Sequence, residues 1–83
     1  MYNLIISPKA QRELKKISMS HRLSIGRILE EVKEDPFLGK PLIRELTQRF
    51  SYRVGVYRII YVVHKKDKVI NVLTAGHRAT IYN

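Results

Sequence analysis

The stretch RFSYRVGVYRIIYVVH, from Arg49 to His64, decides the fold. Its first half alternates: Phe50, Tyr52 and Val54 share one face of an extended chain, with Ser51 and Arg53 on the other. Gly55–Val56 then interrupts the run, and glycine at the first centre of a two-residue connection suits a type II′ hairpin turn. The second half, VYRIIYVVH, is apolar on both faces and reads as a central strand. The hairpin register follows from the turn. Val54 pairs with Tyr57, so Arg53 stands directly opposite Arg58 on the same face. Like charges facing each other across a ladder are destabilising, and the arrangement makes sense where an anion sits between them.

Working outward, KKDK (65–68) is a turn and VINVLT (69–74) a further buried strand, which makes an antiparallel meander. Before the meander, PFLGKPLIRELTQ (36–48) carries two prolines and a glycine and reads as a long loop. Upstream of that, Ile25, Ile28, Leu29 and Val32 recur at helical spacing, with Ser20 as the cap and Asp35–Pro36 as the stop. An earlier helix starts at Ser7–Pro8 and carries the stripe Ala10, Leu14 and Ile17. The short connection predicts an antiparallel helical hairpin. YNLIIS (2–7) is a first strand. The chain therefore reads as one α+β domain, 1–83: an N-terminal strand, two helices, then an antiparallel β meander with the helices on one sheet face.

The charge is large and uneven. Sixteen Lys and Arg stand against seven Asp and Glu, for a net +9, of which residues 40–83 hold +7. A field of one sign favours polyanionic partners, nucleic acid or an acidic protein. The absence of cysteine excludes disulfides and thiolate metal sites. His21, His64 and His77, the three histidines, have no zinc-type spacing, so no metal or other cofactor is expected. No run approaches the roughly 18–20 apolar residues of a membrane span, and the N-terminus lacks the pattern of a secretory signal. The expectation is a soluble, cytoplasmic protein.

What remains is a basic constellation: Arg53, Arg58, His77, Arg78 and Tyr82, with Arg49, Lys65 and Lys66 as further phosphate-binding cations. Such a set suits metal-free RNA cleavage. There the ribose 2′-hydroxyl attacks the adjacent phosphate and the 5′-oxygen leaves. Arginine supplies permanent charge and bidentate contacts to phosphate oxygens. Histidine holds or gives a proton near neutral pH, and tyrosine stacks on a base or hydrogen-bonds a reacting oxygen. A non-catalytic RNA-binding module would use the same face.

YRVGVYRIIYVV (52–63), followed after a short turn by VLTAGHRATIY (72–82), resembles the RelE/ParE superfamily of bacterial and archaeal toxins, and the RelE branch more closely. The likeness runs over nearly the whole chain. It implies a compact fold like that of small microbial ribonucleases, and a ribosome-dependent messenger-RNA endonuclease that needs no metal. It also implies an antitoxin partner from the same operon, which charge complementarity predicts to be acidic where it binds. By position the family's central-strand arginine falls on Arg58, its C-terminal arginine on Arg78 and its terminal tyrosine on Tyr82. The two basic residues of the preceding strand fall on Ser51 and Arg53. With serine at the first, the general base is left open between His77 and Glu45. The ParE branch implies the same fold in a gyrase inhibitor without RNA chemistry; its members generally lack the terminal His/Arg and Tyr set.

Overall fold

A computed structural model describes residues 1–42 and 49–77. The described residues form five strands and two helices, in the order β1 (Asn3–Ile6), α1 (Pro8–Lys15), α2 (Met19–Glu34), β2 (Lys40–Pro41), β3 (Arg49–Val54), β4 (Tyr57–His64) and β5 (Val69–His77). One sheet takes all five strands in the order β1-β5-β4-β3-β2. The antiparallel meander β3-β4-β5 is present, with β4 at the centre, as its two apolar faces require. β1 pairs parallel to β5, from Asn3 opposite Val69 to Ile6 opposite Val72.

Local chemistry explains the helix boundaries. The Ser7 hydroxyl accepts the Ala10 N–H at 3.1 Å and donates to the Leu73 carbonyl at 3.0 Å. It thus caps α1 and ties its start to β5. The start of α2 differs from the sequence expectation: Ser18, not Ser20, occupies the cap position. Its hydroxyl makes no cap bond and lies 2.7 Å from His21 Nδ1 instead. The end of α2 is as expected. Asp35 leaves helical geometry before Pro36, and its carboxylate accepts the Phe37 N–H at 3.2 Å.

The core lies between one sheet face and the two helices. Ile59, Tyr61 and Val63 of β4, with Ile70, Val72 and Ala75 of β5, meet Ala10, Ile17, Ile25, Leu29 and Val32 from the helical layer. α1 packs along β5, and α2 reaches β1 and β3. Alternation along β4 sends Arg58, Ile60, Val62 and His64 to the opposite face, which no described helix covers. No described helix is long and apolar enough to cross a membrane.

The expected 36–48 loop contains a strand. Lys40 pairs with Ser51 and Pro41 with Phe50, on the outer edge of the sheet. Proline gives up no ladder bond where its nitrogen faces away from the sheet, which is why an edge accepts it. The Tyr61 hydroxyl sets the approach to this strand. It accepts the Gly39 N–H and donates to the Pro36 carbonyl, each at 2.9 Å. A second irregularity lies in β5. Tyr61 pairs with Val72 but Ile60 with Thr74, so Leu73 is an extra residue, a β-bulge.

Candidate phosphate-binding cleft

The β3–β4 hairpin forms as its sequence predicts. Gly55 has φ +62°, while among the described residues the only non-glycine with positive φ is Lys68. A positive φ at the first turn position alone is the type II′ pattern. Val54 pairs with Tyr57, and Arg53 stands opposite Arg58. Both side chains belong to the face away from the helices.

Arg53, Arg58, Ser51 and Lys40 line one open cleft of about 170 Å3. Ser51 is only 5% exposed, and its hydroxyl accepts a hydrogen bond from Arg58 Nη1 at 3.2 Å. That bond holds one guanidinium of the like-charged pair along β3, while Arg53 stands exposed. Among the described residues, none that lines the cleft is acidic. A concave site with three cations and a hydroxyl is built to take an anion with several oxygens, phosphate above all.

The other sequence candidates distribute as follows. Arg49 shares this face, opposite Val62, but does not line the cleft. Lys65 and Lys66 sit in the β4–β5 turn, at the other end of β4. With Arg58 seven residues from Lys65, the separation is roughly 23 Å at strand rise. The Lys65 ammonium lies 5.2 Å from the centre of the Phe37 ring, and both line a separate, apolar cleft of about 340 Å3 with Pro41, Phe50 and Val63. Arg78, Tyr82 and Glu45 lie outside the described residues.

His77 is not brought into the cleft. It pairs with Tyr57, whereas Arg58 pairs with Gly76, and the face of Tyr57 is the helix face. The Tyr57 ring lies 5.9 Å from the His77 ring and 5.2 Å from that of His21 on α2. His77 lines a third cleft, of about 330 Å3, with Glu13, Lys16, Ile17, Tyr57, Ala75 and Gly76. The Glu13 carboxylate there accepts the Thr74 hydroxyl at 2.7 Å and the Ala75 N–H at 3.1 Å through one oxygen. The bulge is the cause. Without Leu73 as an extra residue, Arg58 would pair with Ala75 and His77 would share the arginines' face; one inserted residue turns everything after it over.

Lys40 is the cleft residue that sequence reasoning missed. Its signal is weak: the strand that carries it is two residues long and contains a proline. Among the described residues no three His, Cys, Asp or Glu side chains form a group that could hold a metal ion.

A family model described as the ParE toxin of type II toxin–antitoxin systems matches residues 4–82. The chain belongs to this toxin family. It is 34% identical to Toxin RelG of Mycobacterium tuberculosis, over 98% of this chain and 95% of that one. Among solved structures, the toxin–antitoxin complex RelBE2 of M. tuberculosis matches with TM-score 0.82 at 29% identity, covering 93% of this chain and 98% of that chain. The archaeal RelE–RelB complex of Pyrococcus horikoshii matches with TM-score 0.81 at 25% identity, over 95% of this chain and 97% of that one. The isolated RelE toxin of E. coli, at 24% identity and TM-score 0.83 over 99% of this chain and 92% of that one, shares the fold. The protein is thus a RelE/ParE-superfamily toxin of a type II toxin–antitoxin system, and the cationic cleft is a feature of that toxin's open sheet face.

Proposed function

We propose that this toxin is a messenger-RNA endonuclease of the RelE kind, acting in the cytoplasm on ribosome-bound messenger without a metal ion. The observation that supports this reading is the cross-strand pair Arg53–Arg58 in one cleft, with Arg58 held by Ser51. Two permanent cations are kept together at a cost that a bound phosphodiester repays.

In the reaction, the 2′-oxygen bonds to phosphorus as the 5′-oxygen leaves. The 2′-hydroxyl proton goes to a base and the leaving oxygen takes a proton from an acid. Arg53 and Arg58 bind the phosphate oxygens and stabilise the charge that builds up on them. Arg78 steadies the transition state or the leaving oxygen, and Tyr82 positions the nucleotide. His77 faces the helical layer, across the sheet from this phosphate, and so exchanges no proton with it. Arg49, Lys65 and Lys66 belong to the wider basic surface that draws in RNA. An antitoxin with an acidic binding segment is the partner, as complementarity with the basic half of the chain suggests; the M. tuberculosis and P. horikoshii relatives are themselves toxin–antitoxin complexes.

Primer extension on a defined messenger in a purified translation system tests this. Cuts within codons that vanish when ribosomes are omitted, and that Arg78→Ala nearly abolishes, are the expected result. An intact messenger sinks the reading. The ParE description of the matching family model favours a second one, a gyrase inhibitor without ribonuclease activity. Loss of plasmid supercoiling by gyrase in the toxin's presence would support that reading.

A further inference from the structure

Lys40 stands on β2 directly opposite Ser51, on the face that carries Arg53 and Arg58. The three cations thus come from three successive strands and converge on one cleft, with the small, buried Ser51 at its centre. β2 and β4 lie two strand spacings apart, roughly 10 Å, a gap that lysine and arginine side chains span from both sides.

The backbone that carries Lys40 is held on both sides. The residue before it, Gly39, is buried, and its N–H is bound by the Tyr61 hydroxyl. The residue after it, Pro41, pairs with Phe50, and the Leu42 N–H is bound by the Arg49 carbonyl at 2.8 Å. Among the described residues the one ion pair is Lys33–Glu30, so no described carboxylate neutralises Lys40. The backbone is braced on both sides of a cation that faces two others.

We infer that Lys40 is a third ligand of the substrate phosphate, a catalytic residue supplied by β2 beside the two arginines of β3 and β4. The ligand is a phosphodiester of single-stranded RNA. The inference rests on the reading of this cleft as the RNA-cleaving site. In that reading Lys40 adds a compact, strongly solvated positive charge on the side of the cleft that Ser51 leaves without one.

The test compares Lys40→Ala, Lys40→Arg and Lys9→Ala in the full chain. Lys9→Ala removes the same charge from the first turn of α1, away from the cleft. Two quantities are measured: affinity for a single-stranded RNA oligonucleotide as a function of potassium chloride, and cleavage of ribosome-bound messenger. A lost phosphate contact reduces the slope of log affinity against log salt by about 0.7. Lys40→Ala should show that reduction and a fall in cleavage of about tenfold or more. Lys40→Arg should restore the slope and most of the cleavage, and Lys9→Ala should change neither. A wild-type slope in Lys40→Ala overturns the inference, as does an equal loss in Lys9→Ala. If the wild-type toxin cuts no messenger, the nuclease reading fails; the salt slopes still decide whether Lys40 contacts phosphate.

Discussion

The Tyr61 hydroxyl accepts the Gly39 N–H at 2.9 Å, joining the centre of the sheet to the residue that precedes edge strand β2. Tyr61 is fully buried, and the same oxygen donates to the Pro36 carbonyl. A core side chain therefore sets the position of a surface cation, Lys40, through one backbone group.

Replacing Tyr61 with Phe leaves that N–H and the Pro36 carbonyl without their partner. Urea denaturation should show a loss of about 1–3 kcal/mol, the range for an orphaned buried polar group. The variant should also respond differently to alkali. Burial raises the Tyr61 phenol above its ordinary value of 10.0, with the Gly39 N–H acting in the opposite sense. Because the folded state holds the proton more tightly than the unfolded chain, this contribution is fully present below pH 10 and is lost as pH rises through the folded value. Stability of the wild type should thus fall more steeply above pH 10 than that of Tyr61→Phe. Equal slopes would count against the assignment.

Gly39→Ala tests the same junction sterically. A methyl group there would lie 2.7 Å from the Tyr61 hydroxyl and 3.1 Å from the Ser51 carbonyl oxygen. Neither the buried ring nor the β3 backbone gives way cheaply, so a cost of about 1–3 kcal/mol is expected. Thermal melting measures it; a wild-type melting temperature would show that β2 is not held as described.

Ser51→Ala removes the acceptor of the Arg58 bond without touching either arginine. Single-turnover cleavage should fall severalfold while the salt slope of RNA binding stays at its wild-type value, because no charge is lost. A reduced slope would mean that the hydroxyl itself binds phosphate and does more than orient Arg58.

Arg58→Lys keeps the charge but gives up the planar fork that bonds Ser51 while facing the cleft. Cleavage should drop about tenfold or more, with the salt slope again retained. Arg58→Ala should lose both. If lysine serves as well as arginine, the guanidinium geometry is irrelevant and the cleft works by charge alone.

Much of this molecule was legible from side-chain periodicity. The Gly55–Val56 turn fixed the hairpin register, and with it the Arg53–Arg58 pair, because a two-residue loop leaves no slack. The helical stripes located the core, and Asp35–Pro36 marked the end of α2. β2 was not legible, since two residues carry no period and their placement depends on Tyr61, more than twenty positions away in sequence. The α2 cap lies at Ser18, two residues before the expected Ser20, because serines stand at both positions and residue type alone does not choose between them. The side taken by His77 was hidden for a different reason. Nothing in VINVLTAGH announces that Leu73 stands outside the ladder, so period-two counting along β5 gives the wrong face from that point on.

Leu73 has a consequence for comparing toxins of this kind. It works as a parity switch in the strand. Lengthening or shortening β5 by two residues at that point leaves the handedness of everything beyond it intact, whereas a change of one exchanges the two sides. Two toxins with the same Gly-His tail, one residue apart in the distance from the β4–β5 turn, would therefore show opposite sides of that tail to the arginines. Matching such tails by sequence column alone would equate side chains that work on different surfaces.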